Sequence, residues 1–171
     1  MNTESVTNIP KYSICICNYN MVDTIEEAID SLISQLDLDY EIIVVDDGST
    51  DSSVENIEEL TKRHKMLRLI KLERDGSRML GETRNISIKE AAGSYVLLHI
   101  DADDVWEPYI KDFVAVFHKI EQCKKNDFLL SGQQINMGKR DFLLSHGPYH
   151  NIYRGEDNEL FHRLASIDAY L

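Results

Sequence analysis

Residues 41–49 read Glu-Ile-Ile-Val-Val-Asp-Asp-Gly-Ser, an apolar, β-branched run that passes without a spacer into two aspartates, a glycine and a serine. Such a run predicts a strand over 41–45 covered on both faces, and Asp46-Asp47-Gly48-Ser49 predicts a turn at its carboxyl end. Upstream, Tyr12 to Cys17 is equally apolar and gives way to the polar Asn18-Tyr19-Asn20. Between the two strands, Ile25, Ala28, Ile29, Leu32, Ile33 and Leu36 recur at helical spacing, with Thr24 and Glu27 placed for a capping box. The order is strand, helix, strand.

The alternation continues downstream. Ser52 and Glu55 offer a second capping box ahead of Val54, Ile57 and Leu60, and 67–72 reads as a third strand. A helix is expected over 81–92, closed by a left-handed Gly93. A fourth strand over 94–100 runs into Asp101-Ala102-Asp103-Asp104, and a helix from Pro108 carries Ile110, Phe113, Val114, Phe117 and Ile120. This pattern predicts an α/β three-layer sandwich around a mostly parallel central sheet. Ligands of such sheets gather beyond the carboxyl ends of the strands, where all three polar clusters fall. From Asp127 the rhythm changes: DFLLS occurs at 127–131 and again at 141–145, flanking a polar stretch with a glycine, and a hairpin-like excursion is expected. Residues 156–171 have Leu160, Phe161, Leu164 and Ile167 at helical spacing and stop without a cap, as expected of a chain that continues. Residues 1–10 read as a polar leader and 11–171 as one domain.

Composition narrows the function. At 171 residues and 43% hydrophobic, the chain can bury a core without disulfides or structural metal. Thirty acidic against eighteen basic residues give a formal charge of -12, which repels phosphate backbones and excludes a nucleic-acid role. Three cysteines, with Cys15 and Cys17 in an apolar run, suggest reduced thiols and a cytoplasmic setting. Glu4 stands where a signal peptide would be basic, and no apolar segment approaches the roughly twenty residues of a transmembrane helix. Any membrane association is expected to be peripheral, at the inner face.

Several residues could carry chemistry. Asp101 and Asp103 face the same side if the chain stays extended, and two carboxylates can share Mg²⁺ or Mn²⁺ with the phosphates of a substrate. The alternative is a solvated turn capping the helix at Pro108. A carboxylate at Asp46 or Asp47 could accept from a uracil imide or a ribose hydroxyl, or the pair could be a plain turn with Ser49 or Asp51 capping the next helix. Arg84 could reach a phosphate or pair with these aspartates, and Tyr19 could stack on a base or close the core. His99, inside an apolar strand, reads as a core histidine, and the six histidines show no metal spacing.

Taken together, YSICICNYN, IIVVDDGSTD, GETRNISI and SYVLLHIDADD, in that order, resemble the motifs of the family-2 glycosyltransferases. The resemblance runs from about Tyr12 to the end of the chain. It implies the GT-A fold of nucleotide-diphospho-sugar transferases and transfer, with inversion, from a UDP-sugar to a saccharide or glycoconjugate acceptor, assisted by Mn²⁺ or Mg²⁺. By this likeness Asn18, Tyr19, Asp46 and Asp47 surround base and ribose, and Arg84 lies near the donor nucleotide. Asp101 and Ala102 lie near ribose or donor sugar, and Asp103, with Asp101, holds the metal. GEDNELFHRL is similar to the family's Glu-Asp motif at a late helix start, which makes Asp157 the catalytic base with Glu156 beside it; helix capping by acids is the alternative. Cys17 stands where the family often has proline, and later acceptor-binding or metal-contacting segments of the family would lie beyond residue 171. A nucleotidyltransferase would need a Gly-rich basic loop, but residues 11–23 hold no glycine and only Lys11 as a base. A phosphoacceptor domain would need a strand-end lysine that is not evident. A non-catalytic module that binds a nucleotide sugar stays open.

Overall fold

The structure, a computed structural model, describes residues 9–146 and 149–171; most of the expected leader, 1–8, lies outside them. Strands β1 (Tyr12–Asn18), β2 (Tyr40–Asp46), β3 (Leu67–Lys71), β4 (Tyr95–Leu98), β5 (Leu129–Ser131) and β6 (Asn136–Lys139) form one sheet in the order β3-β2-β1-β4-β6-β5. The first four run parallel, while β6 pairs antiparallel with both β4 and β5. Helices are α1 (Ile25–Ile33), α2 (Ser53–Arg63), α3 (Leu80–Glu90), α4 (Ile110–Glu121), α5 (Arg140–Ser145) and α6 (Glu156–Ala165). Among the described residues no helix is long and apolar enough to cross a membrane.

Strand alternation sorts the core into two clusters, one on each face. Ile14, Ile16, Ile42, Val44 and Leu97 face Ile25, Ile29 and Leu32 of α1, Ile57 and Leu60 of α2, and Ile110 and Phe117 of α4. Cys15, Ile43, Val45, Val96 and Leu98 face Ile88 of α3, Phe142 and Leu143 of α5, and Leu160 and Leu164 of α6. Each fully buried Ile or Leu contributes roughly 1.5–3 kcal/mol, and this two-sided burial explains why the central strands read as unbroken apolar runs. Burial pushes the Cys15 and Cys17 thiols up to about 12, which keeps both in the neutral thiol form near neutral pH.

Several local expectations are corrected. Thr24 and Ser52 occupy N-cap positions, but neither side chain makes a cap bond. Asp51 does that work for α2, accepting from the Ser53 amide at 3.0 Å, and its other oxygen accepts from Val22 at 3.0 Å. Gly93 is not left-handed: α3 ends at Glu90, and a Cβ on Gly93 would come within 2.8 Å of Ser13 Oγ and the Tyr12 backbone. Strand β4 stops at Leu98, because His99 turns left-handed at φ 61°. The first DFLLS supplies β5, whereas the second is α5, and the hairpin partner of β5 is the stretch between them. Helix α6 ends at Ala165, and the last residues lie along β5, with Leu129 donating to Ala169 at 2.9 Å and Ser131 to Leu171 at 2.7 Å.

Candidate active site

Asn18 and Asp46 end adjacent strands in register, and the turn after β2 is built on the Asp46 carboxylate. Asp46 accepts from the Gly48 amide at 3.0 Å, the Ser49 amide at 2.9 Å and Asn18 Nδ2 at 2.7 Å. It is 1% exposed with both oxygens occupied, which corrects the expectation that it meets a base or ribose: its role is to shape the turn. The aspartate that reaches the surface of the turn is Asp47.

Asp47 is ion-paired to Arg74 and Arg78, both on the loop after β3, and the Arg74 guanidinium lies 4.4 Å over the Tyr19 ring. Gly48 permits this approach: it is left-handed at φ 75°, and a Cβ there would sit 2.6 Å from the Arg74 amide nitrogen. Asn18, Tyr19, Asp47, Arg74, Arg78, Asp101, Ala102, Asp103 and Tyr153 are among the residues lining a cleft of about 450 Å³, a size that suits a nucleotide-sized ligand.

Asp101 and Asp103 are exposed and line that cleft, with Ala102 buried between them. Burial, and then the charges of Asp101 and Asp103, push the neighbouring Asp104 carboxyl up. Among the described residues no three His, Cys, Asp or Glu side chains form a ready metal cage. Two exposed carboxylates are still the hard oxygen donors that Mg²⁺ or Mn²⁺ takes when phosphates complete the shell, so the donor set fits such an ion.

A second cavity, of about 190 Å³, is lined by Arg84, His99, Asp101, Asp104, Gln133, Gln134 and Asp157. Arg84 is 7% exposed and lies 2.8 Å from Glu156 Oε1, 2.6 Å from Asp157 Oδ1 and 3.6 Å from Asp101 Oδ1. Its charge is therefore spent on carboxylates. Asp157 Oδ1 also lies 2.8 Å from His99 Nε2. Burial works to raise the Asp157 carboxyl, but the His99 contact and the Arg84 charge outweigh it and hold the group below its ordinary value. Asp157 is thus an ionised carboxylate, one-third exposed, at the amino end of α6.

A family model, Glycosyl transferase family 2, matches residues 13–162. The chain belongs to this family. EpsJ of Bacillus subtilis, described as an uncharacterized glycosyltransferase, is 38% identical over 125 residues, 72% of this chain and 33% of that protein. The poly(ribitol-phosphate) beta-glucosyltransferase of Bacillus spizizenii is 43% identical over 97 residues, 55% of this chain and 15% of that protein. The chain spans less than two fifths of the length of each of these curated relatives. The fold is that of the family's GT-A enzymes. Staphylococcus aureus TarS 1–349 in complex with UDP-GlcNAc aligns with a TM-score of 0.73 at 22% identity, over 94% of this chain and 53% of that one. The mannosyltransferase PcManGT of Pyrobaculum calidifontis, in complex with GDP-Man and Mn²⁺, aligns at 0.77 and 20% identity, over 95% and 54%.

The family's motif residues come together only partly. Asn18, Tyr19, Asp47, Asp101, Ala102 and Asp103 share the larger cleft, while Arg84, Glu156 and Asp157 cluster at the smaller one with Asp101 between the groups. The structure adds Arg74 and Arg78 to the larger cleft and places His99, expected in the core, on the smaller cavity. Two arginines just beyond a strand that ends beside β2 are a usable signal in so acidic a chain, but the histidine's left-handed turn has no signature in its apolar surroundings.

Proposed function

We propose that this chain is the donor-binding and base-carrying part of an inverting glycosyltransferase that moves a sugar from a UDP-sugar to a hydroxyl of a saccharide or glycoconjugate. The reading rests on one observation: Asp101 lines both cavities, so the cleft with Asp47, Arg74 and Asp103 lies next to the cavity with Asp157. A sugar at that junction has a leaving group on one side and a carboxylate on the other. Nucleoside diphosphates or their sugars in the complexes of TarS, PcManGT and the mycobacterial glucosyl-3-phosphoglycerate synthase support a donor of this class.

In this mechanism Tyr19 and Asp47 hold the nucleoside, Tyr19 by stacking on the ring face that Arg74 leaves open and Asp47 by accepting a hydrogen bond from the base on a lone pair its arginine pairs leave free. Arg74 and Arg78 supply positive charge beside the diphosphate in a chain of net charge -12. Asp101 and Asp103 would hold Mn²⁺ or Mg²⁺, which when bound neutralises charge that gathers on the departing phosphate oxygens. Asp157 takes the proton of the acceptor hydroxyl as that oxygen bonds to the anomeric carbon. The bond from that carbon to the phosphate oxygen breaks, and its electron pair leaves with the nucleoside diphosphate. Because Asp157 Oδ1 is held by Arg84 and His99, Oδ2 is the oxygen left to receive the proton.

Calorimetric titration with UDP, and with GDP for comparison, tests the reading in Mn²⁺ and after chelation. Metal-dependent binding that prefers UDP, lost in Asp103→Ala and kept in Asp157→Asn, is expected. Normal binding by Asp103→Ala overturns the metal assignment.

A further inference from the structure

His99 directly follows β4 in a left-handed conformation at φ 61°, a region that few side-chain-bearing residues other than Asn, Asp and His occupy. Its ring is wedged between Tyr149 and Phe161, with centroids 5.9 Å and 5.6 Å away. Both ring nitrogens are engaged. Nε2 lies 2.8 Å from Asp157 Oδ1, and Nδ1 meets the side-chain amide of Asn136, which is 2% exposed on β6 directly opposite Leu98. An ionised carboxylate can only accept, so the contact with Asp157 requires a hydrogen on Nε2. In a neutral ring with its hydrogen on Nε2, Nδ1 is an acceptor, and the Asn136 amide meets it by donating. Tyr149 Oη also lies 2.8 Å from Nε2, but the charged carboxylate is the stronger acceptor.

We propose that His99 is a positioning residue for transfer: its Nε2–H, together with Arg84, pins Asp157 Oδ1 and so presents Oδ2 to the acceptor hydroxyl, while Asn136 sets the tautomer. Asp157 Oδ1 takes both bonds and Oδ2 has no hydrogen-bond partner among the described residues. The left-handed turn after β4 carries the ring to the first turn of α6. The inference rests on the reading of Asp157 as the base. The Asn136 carbonyl oxygen is buried without a partner, so the orientation of this amide is the point to test first.

Isotope-labelled histidine NMR of the whole chain reads the tautomer directly. A His99 resonance protonated at Nε2 and bare at Nδ1 is expected, and a ring protonated at Nδ1 overturns the proposal whatever the activity. Turnover of UDP-glucose in Mn²⁺, to an acceptor or to water, then separates positioning from folding. His99→Leu should lose on the order of 100-fold in kcat with KM little changed. His99→Gln, whose amide can donate from a similar reach, should recover most of the loss. If Asp157→Asn is inactive while His99→Leu keeps the wild-type kcat, the positioning role is wrong. If Asp157→Asn itself turns over normally, the base assignment fails instead, and the NMR result still decides the tautomer.

Discussion

Arg84 on α3 and Glu156 on α6 form an ion pair of 2.8 Å in which both side chains are at most a tenth exposed. It joins helices that are 72 residues apart in sequence and fixes the start of α6, where Asp157 stands. The same guanidinium reaches Asp101, so one buried cation ties the proposed base to the acidic cluster after β4.

Removing that cation leaves Glu156 buried and unpaired. Arg84→Met should therefore destabilise the chain by about 3–5 kcal/mol, read from urea unfolding. The double variant Arg84→Met, Glu156→Leu should recover part of the loss. A loss no larger than that of a surface ion pair would mean that water reaches Glu156 freely.

Gly48 is the contact point between the Asp47 turn and the loop carrying Arg74. Gly48→Ala forces a side chain into a left-handed conformation, at about 1–2 kcal/mol, and drives its Cβ into the Arg74 backbone. Lower stability and weaker metal-dependent UDP binding are expected together, by thermal unfolding and calorimetry, because Arg74 must leave Asp47 and Tyr19. Unchanged UDP affinity would show that Arg74 is not part of the nucleotide site.

The Asp157 carboxyl is held below its ordinary value of 3.8. Its contribution to stability is therefore present above 3.8 and is lost as pH falls through the lower folded value. The gap in unfolding free energy between wild type and Asp157→Asn should be widest near neutral pH and narrow once pH drops below 3.8. A gap independent of pH would mean that His99 and Arg84 do not hold the charge.

Much of this molecule was legible because two-sided burial leaves a strong mark on a sequence. Ile42 to Val45 has no polar position, and Asp46-Asp47-Gly48 ends it abruptly, so both the strand and the ligand-side turn could be read. The roles of the two aspartates could not. They are chemically identical neighbours, and only the register of β1 against β2 turns Asp46 inward to Asn18 while Asp47 meets the arginines. His99 was read as core because its neighbours are apolar, and nothing local announces that the strand stops one residue earlier.

The two DFLLS segments mark the boundary between local and tertiary information. The sequence by itself determined the alternation of strands and helices, the family motifs and the placing of carboxylates at strand ends, since these depend on periodicity and residue type over a few neighbours. Only the tertiary structure decided that Asp127–Ser131 leads into an edge strand beside β6 while Asp141–Ser145 coils into α5 against α3, and that Arg84 serves carboxylates of α6. The physical reason is that a short apolar pentapeptide, or a single arginine, has no strong intrinsic preference; the surface available to bury it and the charge available to pair it settle the outcome.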